Sequence, residues 1–70
     1  MTLKNAELLK DYTILEIKTD DSELDAFLFS LGCYSGEPIT VISRNKNNLV
    51  VSIKDGRYSI DSYLADTIIV

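Results

Sequence analysis

Leu31-Gly32-Cys33-Tyr34-Ser35-Gly36, followed directly by Glu37-Pro38-Ile39-Thr40-Val41, reads as a helix stop, a tight turn and a strand start within a few residues. Glycine adopts the left-handed conformation that closes a helix without a Cβ penalty, so Gly32 is the expected terminator. Ser35-Gly36 supplies a second turn before the strand. A joint this short between helix and strand belongs to a small, tightly connected α+β fold. It contains no obvious reactive group, so function has to be read elsewhere.

Upstream of the joint, Leu24, Phe27, Leu28 and Leu31 follow an i, i+3, i+4, i+7 stripe, which predicts one core-facing helix face. Asp20-Asp21-Ser22-Glu23 opens this helix, with Ser22 and Asp25 spaced as a variant capping box. Before it, Asp11 to Thr19 reads as a strand rich in β-branched and aromatic residues. Ile14 and Ile17 have opposite parity there, which calls for a bulge or burial on both faces. Thr2 is placed to cap a short first helix carrying Leu3, Ala6 and Leu9 at helical spacing.

Downstream the chain is β. Ile39 and Val41 alternate with Thr40, and Leu49, Val51 and Ile53 alternate with Val50, Ser52 and Lys54. Asp55-Gly56 predicts a type I′ hairpin turn. That turn would pair Lys54 with Arg57, Ile53 with Tyr58, Ser52 with Ser59 and Val51 with Ile60. To keep Val41 and Val51 on one face, the preceding loop should be Asn45 to Asn47, with Asn47 left-handed in a bulged hairpin. Asp61 to Ala65 reads as a single capped turn, and Thr67 to Val70 as a closing strand. Five short strands, one inserted helix and short helical turns describe a mainly β, small α+β fold: an SH3-like five-stranded barrel formed by residues 1–70 as a single domain.

Seventy residues with a net charge of −4 and scattered basic residues argue against a nucleic-acid partner. No apolar run approaches membrane-spanning length, and the first residues lack a signal-peptide pattern, so a soluble cytosolic domain is expected. One cysteine excludes an intrachain disulfide, and the absence of histidine removes the usual transition-metal ligands. Asp20, Asp21, Glu23 and Asp25 form the one dense acidic cluster, read as helix capping and a solvated face, not as a metal site. Cys33 reads as a small apolar filler. No paired-carboxylate or nucleophile motif supports an enzyme, and no catalytic residue, metal ligand or cofactor is assigned. Phe29 lies off the helical core stripe and Tyr34 follows at the turn, making these two the candidate partner-binding residues. A position packed beneath another element is the competing reading for Phe29. Leu15, Ile42 and Val50 fall opposite the predicted core and would extend an apolar patch.

The order of motifs resembles the ferrous iron transport protein A (FeoA) family. The resemblance runs through Leu8-Leu9, Ile14 to Ile17, Leu31-Gly32, Ser35-Gly36, Ile39-Thr40-Val41, Leu49 to Ile60, Ala65 and Ile68 to Val70. Ser35 stands where that family usually has proline, and the loop around Asn45 lacks the family's longer Pro- and Gly-containing segment. What the resemblance implies is a small cytosolic modulator of ferrous iron uptake that contacts the cytosolic part of the FeoB transporter. It would lie peripheral to the inner membrane face only through that partner, without inserting. The resemblance also implies an association with transition metals. A related metalloregulator-type SH3-like domain with a different partner is the alternative, and an acidic peptide-binding module unconnected with iron the third reading.

Overall fold

The computed structural model describes residues 1–70. After a 3₁₀ turn at Leu3–Asn5 come β1 (Asp11–Thr13), β2 (Glu16–Ile17), α1 (Ser22–Ser30), β3 (Pro38–Arg44), β4 (Asn48–Ile53), β5 (Gly56–Asp61), α2 (Ser62–Ala65) and β6 (Ile68–Ile69). β1, β3, β4 and β5 form one antiparallel sheet in that order, and β2 pairs with β6 in a second. The strands number six, not five, because the first predicted strand divides, and the two sheets are not joined into one hydrogen-bonded barrel. Between them lies the core, drawn from the first turn, both helices, β3 to β6 and the connections at Ile14 and Cys33: Leu3, Ile14, Leu28, Cys33, Ile39, Val41, Leu49, Val51, Ile53, Ile60, Ala65 and Ile68 are all buried.

The division of the first strand falls at Ile14. Its N–H donates to the Glu37 carbonyl at 2.9 Å and its carbonyl accepts from the Gly36 N–H at 2.8 Å, whereas the next residue, Leu15, donates to Ile69 at 2.7 Å. The chain therefore leaves β3 for β6 within one residue, which explains the mixed parity of Ile14 and Ile17. Ile14 is fully enclosed and Leu15 faces solvent.

Helix α1 ends as its sequence requires. Gly32 has φ +89°, its N–H donates to Phe29 at 3.0 Å, and the Cys33 N–H reaches back to Leu28 at 2.9 Å. This is the Schellman pairing of C′ to C2 and C″ to C3, with Leu31 as C-cap. Gly36, at φ +92°, occupies the third position of a tight turn closed by Glu37 N–H to the Tyr34 carbonyl at 3.1 Å. A proline in place of Ser35 would sit at the second position of that turn, where its fixed φ is favoured. The helix N-cap is Asp21, not Ser22: its carboxylate accepts from Glu23 at 3.0 Å and Leu24 at 3.2 Å. Asp21 is extended and stands one residue nearer the chain entry, so its short carboxylate reaches those free donors directly.

Both hairpins depart from the expected registers. Arg44 faces Leu49, so the β3–β4 loop has the four residues Asn45 to Asn48, held by the Asn45 side chain accepting from Asn47 and Asn48. A four-residue loop alone would turn one strand inside out. An extra residue in β3, between Val41 and Ser43, restores the face, so that Val41 still lies opposite Val51. In the β4–β5 hairpin Ile53 faces Gly56, Val51 faces Tyr58 and Leu49 faces Ile60, which makes Lys54-Asp55 the turn. Lys54 has φ +52° and Asp55 and Gly56 are not left-handed, so the turn is not type I′. Gly56 serves a different purpose: a Cβ there would meet the Tyr58 hydroxyl at 2.5 Å, so its missing side chain makes room for that ring.

The first turn also differs from expectation. Leu3 and Ala6 are buried, but the Thr2 side chain donates to Asp66 instead of capping, and Leu9 is exposed with φ +61°. Leu9 leaves the helical spacing because its N–H is taken by the Val41 carbonyl at 2.8 Å, beside a bridge between Leu8 and Val41. The Arg44 guanidinium closes this corner by donating to the Ala6 carbonyl.

Gly36→Ala meets no atom within 4 Å, whereas a Cβ on Gly32 would lie 2.8 Å from Lys54 Cε. Each substitution is expected to lower unfolding free energy by about 1–2 kcal/mol through left-handed strain. Denaturant titration should show an excess loss for Gly32→Ala that disappears in a Lys54→Ala background.

Candidate functional site

The end of α1, the turn that follows it and the β4–β5 hairpin together enclose an open groove of roughly 600 Å³. Phe29, Ser30, Leu31, Gly32 and Tyr34 form one wall, and Ile53, Lys54, Asp55, Gly56 and Tyr58 the other. The Schellman closure sets the first wall, because it reverses the chain within two residues and brings Tyr34 back beneath the last helical turn. The Phe29 and Tyr34 rings then meet with centroids 4.9 Å apart and planes tilted by 33°. Phe29 nonetheless remains 65% exposed, so it is a rim residue and not a core one. Phe27, expected on the core stripe, is 51% exposed instead. Only Leu28 of α1 is fully buried, with Leu24 half-buried beside it, because the helix touches the sheets along a narrow edge.

Lys54 crosses the groove. Its ammonium donates to the Glu37 carboxylate at 3.1 Å and lies 5.2 Å from the centre of the Tyr34 ring. Tyr34 first and Glu37 second hold its pKa above the usual lysine value. The group is in open solvent, so this favours a persistent charge over a large stability gain. Phe29, Tyr34 and Lys54 therefore present a stacked apolar surface carrying one fixed cation. Sequence reading missed Lys54 and Tyr58, because it set Lys54 opposite Arg57 and because Glu37, the partner that orients Lys54, is seventeen residues away.

The other singled-out positions lie elsewhere. Cys33 is buried, and desolvation pushes its thiol up from 9.0 to about 11, so it is neutral at physiological pH. Asp21 is consumed by capping, and no three Cys, Asp or Glu side chains of the chain converge on one point. Leu15 is exposed on the β2 side, Ile42 and Val50 are half-buried in the four-stranded sheet, and none of the three lines the groove. No helix is long and apolar enough to cross a membrane.

Two sheets packed about one core, with a helical turn before the last strand, define an SH3-like fold. The sequence matches the FeoA domain family over residues 1–70, and the chain belongs to that family. Its structure is similar to that of Stenotrophomonas maltophilia FeoA in complex with zinc, described as a prokaryotic SH3 domain protein and a candidate ferrous iron transport activating factor. The TM-score is 0.88 at 18% identity, over 99% of this chain and 87% of that one. An iron uptake regulatory protein (FeoA) is similar at a TM-score of 0.87 and 19% identity, over 97% of this chain and 91% of the other. A manganese-dependent transcriptional repressor gives 0.88 at 18% identity; 97% of this chain matches only 39% of the repressor. At such identities these three show the shared fold. No curated protein matches the sequence.

Two measurements check these placements. Phe29→Ser should cost about 1 kcal/mol, from loss of the Tyr34 stack, whereas Leu28→Ala should cost about 2–5 kcal/mol by denaturant unfolding. For Cys33, the thiol is protonated in both folded and unfolded chains below pH 9. The unfolded chain ionises first as pH rises, so stability is lost toward the folded value of about 11. Wild type should lose on the order of 2 kcal/mol more than Cys33→Ala over that window.

Proposed function

We propose that this chain is an accessory of ferrous iron uptake that acts by protein contact, with the Phe29–Tyr34–Lys54 surface as its docking site. Membership of the FeoA domain family, and similarity to a protein described as a candidate iron transport activating factor, support the pathway. The observation that carries the docking site is Phe29: a large aromatic, 65% exposed, held in place by Tyr34 and not by burial. A preordered aromatic loses little conformational freedom on binding, which is why such residues dominate interface energetics. The surface sets two stacked rings beside one oriented cation, a combination suited to recognising a protein side chain.

The partner that fits this reading is the cytosolic part of FeoB, with the chain cytoplasmic and at the membrane only through that contact. The whole of residues 1–70 would act as one unit. The similarity to one portion of a manganese-dependent repressor favours a second reading, in which such a domain packs against other domains of a regulator.

Titration calorimetry of the chain against the cytosolic portion of FeoB, with the intact detergent-solubilised transporter as a second arm, tests the first reading. Phe29→Ser should weaken binding at least tenfold, roughly the loss of a 1.4 kcal/mol contact, while leaving the fold intact. Absence of binding in both arms would overturn the proposed partner.

A further inference from the structure

Strand β5 is the terminal strand of the four-stranded sheet and pairs only with β4. The hairpin turn determines which of its backbone groups are satisfied. Across a two-residue turn the flanking residues, Ile53 and Gly56, form a hydrogen-bonded pair, and the pattern repeats every second residue. Gly56, Tyr58 and Ile60 therefore direct their backbone groups toward β4, whereas Arg57, Ser59 and Asp61 direct theirs outward. Neither the N–H nor the carbonyl of Arg57 or Ser59 takes part in any hydrogen bond outside the strand pairing. An exposed strand edge of this kind is a template for another strand.

The side chains on the same residues select which strand. Arg57, Ser59 and Asp61 are all exposed and share one face. Arg57 forms no ion pair or hydrogen bond within the chain, and the Asp61 carboxylate is engaged only through one oxygen, by the Leu64 N–H at 2.7 Å. Read antiparallel against itself about Ser59, β5 sets Arg57 opposite Asp61 and Asp61 opposite Arg57. The same register brings the outward N–H and carbonyl of Ser59 against those of its own counterpart. Shifting the centre to Arg57 or to Asp61 instead sets like charges face to face, which is unfavourable. The strand is thus self-complementary in charge in one register only.

We propose that the β5 edge is a self-association surface: two copies of this chain pair through antiparallel β5 strands about a two-fold axis at Ser59. The two four-stranded sheets then become continuous, with Arg57 of each copy opposite Asp61 of the other. The interface is isologous, so it closes at the dimer and does not propagate. It is also independent of the groove. Tyr58 and Gly56 line the groove, whereas Arg57 and Ser59 lie on the alternate face of the strand.

Sedimentation equilibrium over a concentration series to about 1 mM, at low and high salt, tests this. Wild type should pass from the 7.8 kDa monomer to a dimer, with a weaker constant at high salt. Arg57→Asp should weaken the dimer at least tenfold. Ser59→Pro should do the same, since it removes an outward N–H without touching the bonds to β4. An equimolar mixture of Arg57→Asp with Asp61→Lys should re-associate, because the Arg57→Asp chain offers two acidic positions and the Asp61→Lys chain two basic ones. If the loss of the Asp61 cap unfolds the latter chain by circular dichroism, the first two variants carry the test. A wild type that stays monomeric throughout would overturn the proposal, as would a dimer indifferent to both Arg57→Asp and Ser59→Pro. Unchanged dimerisation of Phe29→Ser would separate this surface from the docking groove.

Discussion

The reciprocal hydrogen bonds between Ile14 and the segment Gly36-Glu37 hold the fold together at its one unavoidable crossing. At this point the first strand leaves the large sheet for the small one, and the turn after α1 must begin β3 in the same place. Both requirements are met because Gly36 takes φ +92°, a left-handed conformation open to glycine without strain, and so turns its N–H toward the Ile14 carbonyl. The Schellman closure at Gly32 lies four residues upstream and sets the angle at which α1 arrives. Everything else on that side of the molecule follows: Tyr34 returns under Phe29, and Glu37 comes within reach of Lys54.

The hairpins show how a small sheet absorbs local irregularity without losing its core. A four-residue loop after Arg44 reverses the facing of one strand, and an inserted residue at Ile42 reverses it back. The result is the pairing of Val41 with Val51 that simple alternation demands. The second hairpin shifts its turn from Asp55-Gly56 to Lys54-Asp55, a change of register that preserves parity and therefore leaves Leu49, Val51 and Ile53 inside. The cost is a left-handed lysine. Its side chain has compensation within reach, since the ammonium bonds Glu37 and lies against Tyr34, while its stem lies beside Gly32. Gly56 is then free to accommodate the Tyr58 ring.

That shift also creates the groove. Had the turn formed at Asp55-Gly56, Lys54 would sit within the strand opposite Arg57. In its observed position it bridges the hairpin to the helix end, and the aromatic pair acquires a cation. Groove, helix closure and hairpin register are thus one structural arrangement, to which β5 contributes Gly56 and Tyr58 but not Arg57 or Ser59.

Alternation of apolar residues and the two turn glycines made most of the architecture legible from the chain alone: the single long helix, its stop at Gly32, the β character from Ile39 onward, the capped turn at Asp61 and the core positions of the central strands. These are local properties, governed by φ preferences and side-chain parity, so a linear reading captures them. Phe29 and Tyr34 were legible as neighbours of the joint for the same reason. What the chain order could not decide was the break at Ile14, the inserted residue in β3, the turn at Lys54 and the exposure of Phe27. Each is set by a partner distant in sequence: β6 for the break, β4 for the bulge, Glu37 and Tyr34 for Lys54, and the narrow contact of α1 with the sheets for Phe27. Local conformations there differ by only a kcal/mol or so, and burial and pairing that exist only in the folded molecule choose among them.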